Sequence, residues 1–383
     1  MLFGFVATAF GGAVAFCLMA AITVAEIFCF FSIYKILKLK PRLIVFGGVE
    51  AVLITAFIIT NTIQNNEFAR IRRIEQETQI PGVGQEVNLF EYYPFREKSK
   101  VAVLDEESTL KFTDKNKLPR LDGATALFPV YSAFVQAVYP EGDYRDQLYS
   151  TYLLRSKTGT AYENLISGEV DIIFVAGISD AHNKLAKSKG VALEFTPIGK
   201  EAFVFFVNAD NPVDSLTSEQ VKGIYSGEIT NWNEVGGEDV EIFPYQREAN
   251  SGSQTSMESF MEDTPLMTPP TEYAVEYYME TVIYEVEARH HKNRPNAIGY
   301  SFLYFTTEMV ESSQIKLLEI DGVPPNRENI ENGTYPQTAE FYAVTDKYKS
   351  ESNTNIKKFI DWILSEQGQS LIEGTGYCSI NSE

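Results

Sequence analysis

Three short segments of the 383-residue chain combine small residues, hydroxyls and backbone amides in the way an oxyanion site requires. In residues 121–127 (LDGATAL), Gly123, Ala124, Thr125 and Ala126 lead into an apolar stretch with helical spacing. Free backbone N–H groups, a hydroxyl and the positive end of a helix dipole then converge. Residues 156–160 (SKTGT) set Ser156, Thr158 and Gly159 ahead of a second helical stretch at 161–166. Residues 247–255 (REANSGSQT) set Ser251, Gly252 and Ser253 ahead of a third, and add Arg247, whose guanidinium can grip an oxyanion through two parallel hydrogen bonds. A Ser/Thr/Gly cluster before a helix is also a plain N-cap, and each segment alone fits that reading. Three of them with one arginine in a single chain favour an anion cradle.

The elements that must position these loops alternate from about residue 101 onward. Residues 170–175, 203–207 and 297–301 are short, rich in β-branched or aromatic side chains, and bounded by Gly, Asn and Pro, which predicts buried strands. Helices are predicted at 161–167, closed by Gly168, at 218–225, closed by Gly227, and at 355–364, where Ile356, Phe359, Ile360 and Ile363 share a face. Alternation of this kind predicts an α/β fold with mainly parallel sheets, whose ligands sit at strand C-termini and helix N-termini.

Composition narrows the function classes. Hydrophobic residues make up 44% of the chain, with 26 Phe and 21 Tyr, enough to build the cores of two lobes. A formal net charge of −20 argues against nucleic acid, which is bound by Lys/Arg neutralisation of many phosphates, but leaves a single small anion open. Cys17 and Cys29 lie in the apolar N-terminus and Cys378 stands alone, so the globular part forms no internal disulfide and Cys378 reads as a packed thiol. His182 and the neighbours His290 and His291 read as surface histidines. No metal-ligand cluster and no Ser/His/Asp spacing is present, so no catalytic residue, metal or cofactor is assigned and the chain reads as a non-enzyme.

The N-terminus carries two apolar runs. Residues 2–33 hold one charge, Glu26, and residues 43–63 hold one, Glu50. Each exceeds the ~20 apolar residues of a spanning helix. Lys35, Lys38, Lys40 and Arg42 between them place the connection in the cytoplasm and both chain ends outside. Phe16 and Phe28 precede the two cysteines, where a lipoprotein needs a small residue. The expectation is a transmembrane hairpin at 1–64, a juxtamembrane stalk at 65–100, and a multi-pass cell-membrane protein whose binding domain is extracellular. Glu26 and Glu50 fall at comparable depth, either as a contact for a partner subunit or as carboxylates that tolerate their position.

From about residue 118 to the end the chain resembles the phosphate-binding proteins of phosphate ABC transporters, the PstS-like group of type II periplasmic binding proteins. The resemblance is carried by residues 224–233 (IYSGEITNWN), similar to that family's F-x-G-x-I-x-x-W stretch, by 296–301 (NAIGYS), and by 365–369 (SEQGQ) followed by Gly376 and Tyr377. It implies two α/β lobes, 101–204 with 322–383 and 205–321, joined by crossing strands and closing on phosphate. Carried over, Ala124, Thr125 and Ala126 resemble the first phosphate loop, in which a Thr hydroxyl and successive amides bind the anion. Thr158 takes the place of the second loop's Ser, with Ser156 and Gly159 beside it. Arg247, Ser251, Gly252 and Ser253 resemble the third, with Ser253 where the family has Thr. The family's Asp that accepts the proton of hydrogen phosphate has its nearest match in Asp180, at a different spacing from Asp171. The resemblance implies an anchored extracellular phosphate receptor delivering to ABC permease subunits. A membrane-tethered sensor or scaffold for phosphate or another oxyanion is the alternative.

Overall fold

The computed structural model describes residues 87–144, 151–269, 275–276, 296–310 and 312–380, together with Ile283 and Val286. These belong to one compact unit, Gln85–Glu383. The hairpin expected at 1–64, the stalk as far as residue 86, and Cys17, Cys29, Glu26, Glu50, His290 and His291 lie outside the described residues. Among the described residues no helix is long and apolar enough to cross a membrane.

In chain order the first six strands are β1 (Leu121–Gly123), β2 (Ile172–Val175), β3 (Leu193–Asn208), β4 (Ser215–Leu216), β5 (Phe243–Pro244) and β6 (Gln246–Arg247). They are followed by β7 (Val275–Glu276), β8 (Ala297–Phe302), β9 (Ile315–Leu317), β10 (Glu319–Ile320), β11 (Thr338–Asp346) and β12 (Cys378–Ser379). A sheet runs in the order β1-β2-β11-β3-β8-β5, with β9 and β12 also paired to β3. The mainly parallel sheet expected from sequence needs correcting. β1 pairs with β2 and β5 with β8 in parallel, whereas β11 is antiparallel to both β2 and β3, and β8, β9 and β12 are antiparallel to β3. The cause is β3 itself, an unbroken strand of 16 residues. Its first part pairs with β11 up to Ala202, and its second pairs with β8 and β9 from Phe203 onward, so one strand runs through both halves of the sheet.

Apolar side chains collect on either side of that crossing. One cluster contains Phe128, Tyr131, Phe134, Phe174, Phe359 and Trp362. Tyr131 stacks on Phe174 at 5.0 Å, and Phe134 meets Trp362 edge-on at 6.0 Å. Such pairs add about 0.5–1.5 kcal/mol each beyond their burial. The other cluster holds Phe205, Tyr225, Trp232, Phe260 and Tyr300. The mixed α/β architecture is two-lobed.

Local chemistry explains the element ends. The helices Lys157–Ser167 and Ser218–Ser226 stop at Gly168 and Gly227, both at φ 83°, a left-handed cap that costs glycine nothing. The stretch 224–233 that carried the resemblance is structural. Ile224, Tyr225 and Trp232 are buried, Trp232 Nε1 donates to the Asn296 carbonyl at 2.8 Å, and Asn231 and Glu234 form a capping box.

Residues 87–100 depart from the expected stalk. Tyr92 and Tyr93 are buried with Phe128 and Tyr131, and the Phe95 N–H donates to Gln136 Oε1 at 2.9 Å. Two buried aromatic rings outweigh the charge and proline that suggested a spacer.

Candidate functional site

The first loop follows β1. Leu127 N–H makes the first turn bond, to the Ala124 carbonyl, ahead of the helix Phe128–Val138 with Pro129 in its first turn. The N–H groups of Thr125 and Ala126 therefore precede the helical bonding. Ala124 does not contribute an amide as expected, because its N–H donates to the Phe174 carbonyl at 2.9 Å and extends the sheet. Tyr377 fixes the loop from behind, its hydroxyl donating to the Ala126 carbonyl at 2.6 Å.

The second loop is held by a residue the sequence did not single out. Asp122, fully buried, accepts from the Gly123 N–H at 2.8 Å, the Ser156 N–H at 2.7 Å and Asn164 Nδ2 at 2.8 Å. Burial raises its pKa, while these donors favour the charged form and oppose the shift. Ser156 thus serves through its backbone, and it does not line the pocket described below. Lys157 takes the left-handed conformation at φ 68°, a strained state for a side-chain-bearing residue, and sets Thr158 and Gly159 on the first turn of the helix.

In the third loop the Arg247 N–H on β6 donates to Gln254 Oε1 at 3.1 Å and to the Tyr300 hydroxyl at 3.0 Å. The Tyr300 hydroxyl in turn donates to Gln254 Oε1 at 2.5 Å, so the backbone of this buried arginine is fixed from the helix Gly252–Met261 and from β8. Asn250, at φ 68°, turns the chain into that helix. Ser251 Oγ is the N-cap and accepts from the Gln254 N–H at 3.2 Å. Ser253 is fully buried, and its Oγ makes no hydrogen bond within the described protein. An orphan hydroxyl of this kind marks a place where a polar ligand would complete the bonding.

These loops meet at one pocket of 400 Å³. Ala124, Thr125, Thr158, Gly159, Arg247, Ser251, Gly252 and Ser253 all line it. Ala126 lines a smaller adjoining cavity that shares Ala124, Thr158 and Gly252. Asp180 lines neither. It is exposed in the first turn of the helix Asp180–Lys189, where a carboxylate complements the helix dipole, so the acceptor role expected for it has no support in the geometry.

Further lining residues were not among the expected ligands, Glu163 and Glu248 included. Val87 and Leu89 come from the segment expected as stalk. Arg155 brings a second guanidinium, its Nε donating to the Tyr93 hydroxyl at 2.9 Å and its Cζ 5.9 Å from the Phe90 ring centre. His182, expected at the surface, is buried and lines the pocket. Its ring stacks on Tyr162 at 5.3 Å, its Nδ1 pairs with Ser179 Oγ at 2.8 Å, and burial lowers its pKa.

A larger volume of 590 Å³ opens near Gly177, Lys222 and the residues 336–339 of β11 and its approach. Its ammonium group, Lys222, is paired with Glu262 at 2.7 Å, and none of the three anion loops' predicted ligands lines it. The chemistry therefore favours the 400 Å³ pocket. A Cβ at Gly252 would stand 2.9 Å from Thr158 Oγ1, so the second and third loops approach too closely for any side chain there. Gly252→Ala is expected to hold the loops apart and weaken anion capture by about 1–3 kcal/mol, the usual cost of overpacking, read by titration calorimetry.

A model described as a PBP superfamily domain matches residues 116–367, more than half of the chain. The chain belongs to the PBP superfamily. Within that superfamily it is similar to the phosphate-binding protein PstS of Bacillus subtilis, 32% identical over 176 residues that cover 45% of this chain and 53% of that protein. It is also similar to PstS of Staphylococcus saprophyticus, 25% identical over 229 residues covering 59% of this chain and 70% of that protein. The matched stretch thus spans about half the length of the first of these relatives. The fold is shared with a putative phosphate ABC transporter substrate-binding protein from Clostridium perfringens, solved with bound phosphate. That match has a TM-score of 0.53 and 23% identity, and covers 69% of this chain and 99% of the other. The PstS-like resemblance read from the sequence motifs is found again in these sequence relatives.

Proposed function

We propose that this PBP-superfamily chain is a membrane-anchored extracellular receptor that captures inorganic phosphate and passes it to the permease subunits of an ABC transporter. The observation that carries the proposal is the convergence on one pocket of Thr125, Thr158, Arg247 and the orphan hydroxyl of Ser253, from three separate loops. The relatives named as phosphate-binding proteins support the choice of anion. We assign residues 101–204 with 322–383 to one lobe and 205–321 to the other, with β3 crossing between them. In this reading the first two loops belong to one lobe and the third to the other. Phosphate entering an open cleft gains hydrogen bonds from both sides only when the lobes meet, so the ligand shifts the population to the closed form that a permease recognises. Glu163 and Glu248 also line the pocket, where Arg247, Arg155 and Lys157 offset them, and charge-assisted bonds from Arg247 outweigh the salt-screened charge of the rest of the chain.

A second reading, a tethered phosphate sensor, is favoured by one observation. Val87 and Leu89, which line the pocket, continue toward the predicted hairpin, so that an occupant would touch the segment leading to the anchor. In either reading the site binds an anion and no chemical step is assigned to it.

Calorimetric titration of the chain with phosphate, and separately with sulfate, tests the proposal. Tight phosphate binding with little sulfate heat is expected. Silence with phosphate, or equal binding of both anions, would overturn selective phosphate capture.

A further inference from the structure

Behind the anion loops lies a second, smaller cavity of 30 Å³, walled off by Ala124, Thr158 and Gly252, which also line the main pocket. That volume has room for one or two oxygen-sized groups. Its lining is largely alanine, leucine and aromatic residues, with Thr158 and two glutamates, Glu201 and Glu340, as the exceptions, and of the two glutamates only Glu201 is buried. Glu201 is 6% exposed and sits on β3 opposite Ala339 of β11, one residue before the last β3–β11 pair. Its Oε1 accepts from the Ala202 N–H at 3.2 Å and the Tyr304 N–H at 3.3 Å. Its Oε2 is buried and makes no hydrogen bond within the described protein.

We propose that Glu201 is a further ligand of the anion, contacting through Oε2 an oxyanion oxygen that enters this cavity from the floor of the cleft. The inference rests on the oxyanion reading of the neighbouring pocket. Burial pushes the carboxyl up to about 8, so at neutral pH the side chain is the neutral acid. Oε1 then acts as the carbonyl oxygen already satisfied by two N–H groups, and Oε2 carries the proton and lacks an acceptor. A bound anion supplies one. The anion also disfavours ionisation of Glu201, so binding is linked to retention of this proton and weakens as the acid ionises.

The titratable groups that face Glu201 do not replace it in this role. Tyr304 and Tyr377 have hydroxyls raised by burial, the Cys378 thiol is pushed up to about 11, and Glu340 of β11 accepts from the Tyr342 hydroxyl at 2.9 Å. Lys200, the residue before Glu201, lies opposite Glu340 in the strand register.

The test is phosphate titration of the full chain between pH 6.5 and 9, for wild type, Glu201→Gln and Glu201→Leu. Comparing wild type with Glu201→Gln at each pH cancels the titration of phosphate itself. Because the Gln amide donates at every pH, the wild-type/Gln affinity ratio is expected to fall about tenfold across this range. Glu201→Leu, which has no donor, is expected to bind about three- to tenfold more weakly than wild type at pH 6.5. A flat wild-type/Gln ratio, or a folded Leu variant that binds as wild type does, would show that Glu201 only packs the point where β3 passes from one half of the sheet to the other. If the Leu variant fails to fold, the Gln profile alone decides. Wild type that binds no phosphate would overturn the receptor reading and this inference with it, whereas a binding wild type with a flat ratio sinks the Glu201 role alone.

Discussion

Arg247→Ala is expected to weaken phosphate binding by about 2–5 kcal/mol, from roughly 30-fold to a few thousand-fold in Kd. The guanidinium lines the pocket from a buried position, where truncation removes a charge-assisted pair in a poorly screened environment. Its backbone is fixed independently, since the bonds to Gln254 and Tyr300 are made by the Arg247 N–H and survive the substitution. Loss of binding should therefore come with an unchanged far-UV spectrum. Arg247→Lys keeps the charge without the planar fork and should fall between wild type and Ala. Calorimetry of the three proteins orders them, and equal affinities would remove Arg247 from the site.

Asp122→Ala is expected to cost about 2–5 kcal/mol of folding stability and to loosen the second loop. It strands the buried donors of Gly123, Ser156 and Asn164, which all converge on one carboxylate. Asp122→Asn should recover only part of the loss, because its amide would meet the Asn164 amide donor to donor. Denaturant unfolding reads the stability. Phosphate titration under native conditions reads the loop, whose Thr158 follows Ser156 by two residues. A variant as stable as wild type would contradict the hub role of Asp122.

The two predictions rest on residues of contrasting visibility. Arg247, Thr158 and Ser253, which line the pocket, stood out because three hydroxyl-bearing clusters before helical stretches, one of them with a guanidinium, occur in a single chain, and Gly168 marked where the second of those stretches ends. Asp122 was not, because an Asp before Gly reads as a turn, and its partners Ser156 and Asn164 are more than thirty residues away in sequence. Strand β3 was visible only at 203–207, where both faces are buried. Its first part is partly exposed and carries Glu194 and Lys200, so the apolar pattern that marks a buried strand fades there. The antiparallel crossing that overturned the mainly parallel sheet was hidden by the same stretch. Glu201 lies where these regimes meet, and a glutamate at the edge of an apolar run ordinarily points to solvent. Asp180 shows the opposite error, a carboxylate favoured by family pattern that its helix leaves exposed.

Whether one oxyanion is held where the three loops converge is read from a crystal structure of the chain grown with phosphate. A tetrahedral anion is expected in the 400 Å³ pocket, within hydrogen-bonding distance of the Arg247 guanidinium, Thr158 Oγ1, Ser253 Oγ and the Thr125 amide, with the Ala126 amide reaching it from the adjoining cavity. A phosphate seated instead beside Lys222 in the larger volume, or no bound anion at saturating phosphate, would contradict it.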